Sequence, residues 1–225
     1  MLLYGGGNRS KFFSLPATMH MGMTFTRTGR GIAVLIFALF AAVSYAAIFQ
    51  YPGDDPFLIL TRLFALNGFV ALSLGAILTA VIREAREHLG KPFLSVHHTF
   101  AAAGLASVIL HPLTLALLFA SPLIFVPIFS SPMSFAANGG RTALPLIIVA
   151  FIAVLIRGKI PQYWRVVHAL MYPAILIGLI HGNLLGSNFS HPIVFSICNI
   201  LGILALGALP VRTFRKRKGQ AKKSS

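Results

Sequence analysis

Apolar runs long enough to cross a lipid bilayer recur along the whole of this 225-residue chain and leave little sequence for anything else. Only 10% of residues are charged and 56% are hydrophobic, whereas a water-soluble domain carries about 25% charge. The chain therefore reads as one all-α membrane domain. Six spans are expected: Gly31–Tyr51, Phe57–Ile82, Val96–Ala120, Thr142–Ile156, Trp164–Leu185 and Pro192–Val211. At ~1.5 Å per residue about 20 residues cross the hydrocarbon core, so the fourth is rather short. Residues 1–30 form a basic N-terminal segment, 31–211 the six-helix domain and 212–225 a basic tail.

Charge alternates between the connecting segments. Arg27 and Arg30 precede the first span, and Asp54 and Asp55 follow it. Arg83, Arg86 and Lys91 come next, then a segment whose first charge is Arg141, then Arg157, Lys159 and Arg165. No charge follows the fifth span, and a run starting at Arg212 follows the sixth. The positive-inside rule places both termini in the cytoplasm, which needs an even number of spans. The formal net charge of +15 is then a topology signal against an anionic leaflet rather than a nucleic-acid footprint. A cleaved leader is the competing reading of the first span, because Ser44-Tyr45-Ala46 loosely fits a small-x-small site; the apolar stretch runs on to Phe49, which favours a retained helix. The expected location is a cell membrane, in a prokaryote.

The single cysteine, Cys198, excludes an intrachain disulfide, a CxxC redox motif and covalent CxxCH haem attachment. The histidines are more informative. His20, His88 and His191 fall in loops, but His97, His98 and His111 fall on the third span and His168 and His181 on the fifth. Ionisable groups in hydrocarbon are costly and mark a site facing the bundle interior. These two spans run in the same direction. His111 stands 14 residues after His97, and His181 stands 13 after His168. Each pair is thus separated by about 20 Å along the membrane normal. Two levels of facing imidazoles result, as bis-histidine haem requires. At ~100° per residue, 14 residues return to within about 40° of one face, but 13 miss by about 140°. Pro173 lies in that interval and should kink or re-pitch the helix. On the third span the register favours His97, with His98 as the alternative ligand. Hydrogen-bonded helix contacts or a proton path are the plainer readings of the same residues.

The segments SVHHTFAAAGLASVILH and YWRVVHALMYPAILIGLIHG resemble the two haem-ligand helices of the ferric reductase-like transmembrane domain superfamily. That group includes ferric reductases, NADPH oxidases and the haem-binding membrane subunit of the methionine sulfoxide reductase system. The resemblance spans roughly residues 60–210, and its most specific part is Trp164, Arg165, His168 and Tyr172 followed by His181. It implies two b haems, or at least one, with His97, His111, His168 and His181 as iron ligands. The sulfoxide reductase subunit typically has arginine where this chain has His97. No GxGxxG occurs, so flavin and nicotinamide binding are not implied. The implied function is transmembrane electron transfer from a separate flavin reductase or quinol to an acceptor at the outer face. A repair-reductase subunit feeding an extracytoplasmic partner protein is the second reading, and a haem-free transporter or proton conduit the third.

Arg62, just inside the second span, either snorkels to the interface or meets outer haem propionates or the electron acceptor. Arg83, Arg86, Lys91 and Arg165 could pair with inner propionates or dock a partner, although topology signalling alone explains them. Tyr163 and Trp164 fit an interfacial aromatic belt. Pro122, Pro127 and Pro132 break the apolar segment between the third and fourth spans, which is expected to lie at the interface or cap the outer site.

Overall fold

A computed structural model describes residues 26–89 and 93–224; Lys91 and His20 lie outside them. The described chain is all helical: α1 (Arg27–Phe49), α2 (Pro56–Leu78), α3 (Ile82–Leu89), α4 (Phe93–Leu118), α5 (Pro132–Ala137), α6 (Gly139–Leu155), α7 (Trp164–His168), α8 (Met171–Leu185) and α9 (Pro192–Ser224). Single 3₁₀ turns at Pro122–Phe125 and Ser187–Ser190 complete it.

Five segments are long and apolar enough to cross a membrane: α1, α2, α4, the α7–α8 pair and α9. The fourth expected span falls within α6, which at 17 residues is shorter than these. Large apolar side chains cover the outer surface, with Phe37 74%, Phe129 71% and Ile203 65% exposed. Water would not tolerate such a surface, so the chain is a multi-pass membrane protein. The backbone does not leave helix at Arg212, and α9 continues to Ser224.

Helix α2 is the hub. Val43, Ala46 and Ala47 of α1 meet its Leu66 and Val70 and the Val194, Cys198 and Leu201 side chains of α9 in one buried cluster. Its Leu72 packs with Ala143 and Ile147 of α6 and Ala174 of α8 in another. Between α2 and α4 small residues set the distance. A Cβ on Gly68 would stand 2.9 Å from Ser107 Cβ, and one on Gly104 would stand 2.7 Å from Leu72 Cδ2. In lipid, where oily surface gives no net drive to associate, close backbone approach of this kind holds helices together.

The two ends of the bundle are tied by different chemistry. At one end Tyr51 donates to Ser187 O (2.8 Å), and the buried Asn188 Nδ2 donates to Ala46 O (3.1 Å) and Gln50 Oε1 (2.7 Å). At the other end Thr26 Oγ1 donates to His88 O (3.2 Å), and Arg215 donates to Ala80 O (2.9 Å) and Glu84 Oε1 (3.0 Å). Most of the arginines gather at this second end, while Asp54 and Asp55 stand at the first with Arg62 and Arg141. The alternation of charge read along the sequence is therefore a real separation in space.

Glu84 is held below the ordinary carboxylate range, first by its own backbone N–H and then by Arg215. A lowered value means that its tie to α9 is fully present above the unfolded-chain pKa and is lost only as pH falls through the folded one. Amide exchange across residues 209–215 is expected to stay slow through weak acid and to quicken below it. Glu84→Gln should remove that pH dependence. Gly104→Val is expected to force α2 and α4 apart and cost about 1–3 kcal/mol in thermal unfolding, the range for overpacking.

Candidate functional site

Four histidines on α4, α7 and α8 point into the bundle, and each is gripped in the same way. His97 Nδ1 lies 3.1 Å from Gly75 O and His111 Nδ1 lies 3.0 Å from Thr61 O, both on α2. His168 Nδ1 lies 3.2 Å from Ala150 O on α6, and His181 Nδ1 lies 2.6 Å from Ala137 O on α5. A carbonyl oxygen only accepts, so each Nδ1 carries a proton. A neutral ring then has its lone pair on Nε2. Gly75 and Ala137 lie in the last turns of their helices, where carbonyls lack an intrahelical partner. Thr79 N bonds Ala76 O rather than Gly75 O, which leaves room for the His97 donor.

One pair of rings meets directly. His97 and His168 have centroids 6.5 Å apart with planes crossed at 78°. An imidazole nitrogen sits ~2 Å from a bound metal, so two rings on opposite sides of one ion have centroids roughly 6 Å apart. The exposed His98 lies beside His97 but makes no such pairing with His168. The other two, His111 and His181, line a single cavity of about 680 Å³. It extends from Tyr51, Asp54 and Arg62 to Leu72, Ile147 and Ala174, and its walls are mostly apolar. That size lies within the range of sites that enclose a large organic ligand.

The 13-residue spacing is accommodated by a break in the helix. Pro173 has no N–H to offer Ala169 O, and Tyr172 N takes that carbonyl instead. Leu170 N likewise bonds three residues back, to Val167 O, and Ala169 N is shared between Arg165 O and Val166 O, both at 3.1 Å. At ~120° per residue in 3₁₀ geometry against ~100° in α, this stretch recovers between about 40° and 60° of the shortfall. The two rings also reach different carbonyls, one on α6 and one on α5.

Glycines make room around His181. A Cβ on Gly140 would lie 3.0 Å from its Nε2 and 3.1 Å from its Cδ2. A Cβ on Gly178, which lines the cavity, would meet nothing within 4 Å. His111 has a further support. Thr114 Oγ1 lies 2.8 Å from His111 O and 2.7 Å from the hydroxyl of Thr61, the residue whose carbonyl holds the His111 ring. Both hydroxyls are buried. One closed loop of hydrogen bonds thus fixes the backbone and the imidazole of His111 to one residue of α2.

The mouth of the cavity is polar. Arg62 pairs with Asp54 and lies 5.1 Å over the Tyr51 ring, so it does not simply snorkel outward. Arg141 donates to Leu123 O (2.9 Å) and Val126 O (3.3 Å). It pins the proline-bounded turn whose Ile124 and Phe125 line the cavity, so this segment caps the site. Arg83, Arg86 and Arg165 are exposed, and Arg165 stacks 4.9 Å from the Trp164 ring.

Thr61, Thr114, Gly140 and Gly178 were not singled out by sequence reasoning. The paired glycines at 139–140 were a visible signal, whereas a threonine in an apolar helix is common and carries none. Among the described residues no three His, Cys, Asp or Glu side chains come together as a metal cluster. A porphyrin site needs only two, since the macrocycle supplies the other four nitrogens. No family model matches the chain, and no curated protein or solved structure matches it.

Thr114→Val is expected to leave the Thr61 hydroxyl without its buried partner and to cost about 1–3 kcal/mol in thermal unfolding. Thr114→Ser should retain most of the wild-type stability.

Proposed function

We propose that this chain is a transmembrane b-type cytochrome that moves electrons between the two faces of a membrane. The observation that carries the reading is the set of four imidazoles, each with Nδ1 on a neighbouring carbonyl and Nε2 as the basic nitrogen. Holding the second nitrogen in this way fixes ring orientation and raises ligand basicity, as is usual behind metal-bound histidine. The resemblance of the α4 and α7–α8 sequences to the ferric reductase-like superfamily points the same way.

His97 and His168 would hold one haem, and His111 and His181 the other. Haem supplies one-electron redox chemistry, with a potential tuned by its axial ligands and its burial. The protein's part is to orient and to exclude water. The carbonyls of α2, α5 and α6 aim the rings, and Leu72, Ile147 and Ala174 form a dry wall. Arg62, already seated on Asp54 and Tyr51 at the cavity mouth, would meet the carboxylates of the outer group. In this reading α6 is the sixth crossing. Its 17 residues give about 25 Å, within the lower range for a span, and α5 precedes it with only Asn138 between. Both termini are then cytoplasmic. The electron donor is a separate flavin reductase or quinol, and the acceptor lies at the outer face.

The test is a dithionite-reduced minus oxidised spectrum of the purified full chain, with haem quantified per polypeptide. The expected result is a b-type spectrum with close to two haems per chain. A chain that folds in the membrane without a Soret band after expression with ample haem would overturn the proposal.

A further inference from the structure

We propose that the cleft between the ends of α2, α3 and α9 binds the phosphate head group of an anionic glycerophospholipid. The cleft encloses about 530 Å³ at the arginine-rich end of the bundle and shares no lining residue with the His111–His181 cavity, while its Arg212 is close enough to His97 to act on that ring's charge; the proposal does not rest on the cofactor reading. Three arginines line it, Arg83 from α3 and Arg212 and Arg215 from α9, against one carboxylate, Glu84. Three positive charges against one negative leave a surplus of two. Arg212 and Arg215 stand three residues apart on α9 and so share a face.

The arginines are not equivalent. Arg215 is spent on Glu84 and on Ala80 O, and that pairing fastens α9 over the α2–α3 turn. Arg83 has only a loose 3.7 Å contact from Nε to Glu87 on the exposed side of α3. Arg212 makes no ion pair among the described residues. Two guanidinium groups therefore remain to grip one phosphate, for which their planar donor forks are suited.

Position and apolar flanks select a lipid over a free anion. The cleft lies where two membrane-length segments, α2 and the apolar part of α9, end, which is the depth of the head-group layer. Ile82, in the cleft wall, is 40% exposed, and Val211 and Phe214 on α9 are 43% and 66% exposed. A ligand with a phosphate and acyl chains satisfies both the arginines and these surfaces. Basic pockets between spanning helices bind anionic head groups on this principle.

The test is thermal unfolding of the purified full chain in phosphatidylcholine nanodiscs carrying increasing phosphatidylglycerol. The wild type should be stabilised with a saturating dependence on the anionic lipid. Arg83→Gln/Arg212→Gln should need roughly tenfold more of it or more, given about 1 kcal/mol per basic residue near an anionic surface. The control Arg157→Gln/Lys159→Gln removes two charges elsewhere at the same end and should respond as the wild type does. If the double arginine variant does not fold, Arg212→Gln alone gives the same comparison with a smaller shift. An unaltered response of the arginine variants, equal weakening in the control, or no effect of the lipid on the wild type would overturn the proposal. So would equal stabilisation by inorganic phosphate in phosphatidylcholine alone, which would make the cleft a free-anion site.

Discussion

The bond from an imidazole N–H to a backbone carbonyl of the adjacent helix is the interaction on which the interior of this protein depends. A histidine in a low-dielectric bundle must place its polar atoms, and a helix has few unused polar groups to offer. The chain meets this need at special carbonyls for two of the four rings. Gly75 and Ala137 lie in helix-terminal turns, where the backbone has acceptors to spare. Each bond fixes a ring to a helix other than its own, so the same four contacts that satisfy the histidines also set the spacing of α2, α5 and α6 around α4, α7 and α8. Small residues make the contacts reachable. Gly68 and Gly104 bring α2 and α4 together, and Gly140 admits the His181 ring.

Electrostatics organises the two ends around that interior. One end carries Asp54 with Arg62 and a network of neutral side chains from α1 and the Ser187–Ser190 turn. The other gathers the arginines and spends only part of that charge internally, through Glu84 and Arg215. A polar group facing lipid is costly, so both sets lie at the ends of the spanning helices and the middle is left to apolar packing and the histidines.

Much of this was legible in the sequence because it follows from local rules. Apolar run length gives six expected spans, of which five are membrane-length helical segments and the fourth falls on the shorter α6, and the alternation of Arg and Asp between them gave the polarity of the bundle. The shared direction of two histidine-bearing spans, with spacings of 14 and 13, led to two expected levels of imidazoles, and in the structure it is His97 rather than His98 whose ring stands against His168. Other features depend on contacts between elements and could not be read that way. Pro173 announced a distortion but not that three 3₁₀ bonds would follow from it. Arg62 announced a buried cation but not its seat on Asp54 and Tyr51. The Thr61–Thr114 loop joins residues 53 positions apart, and neither threonine differs in sequence context from one that merely bonds its own helix. The run of cations from Arg212 reads as a basic tail; its helical backbone and the contact of Arg215 with Ala80 O are not visible in composition.

The central claim is that paired imidazoles, aimed by helix carbonyls, ligate haem iron from both sides. Low-temperature EPR of the oxidised full chain examines those ligands directly. The account calls for low-spin ferric signals, including the strongly anisotropic type that crossed imidazole planes give, as expected for His97 and His168 at 78°. His97→Ala or His168→Ala should remove that signal, while His111→Ala or His181→Ala should remove the other. A haem-loaded protein whose low-spin signals survive all four substitutions would contradict the account.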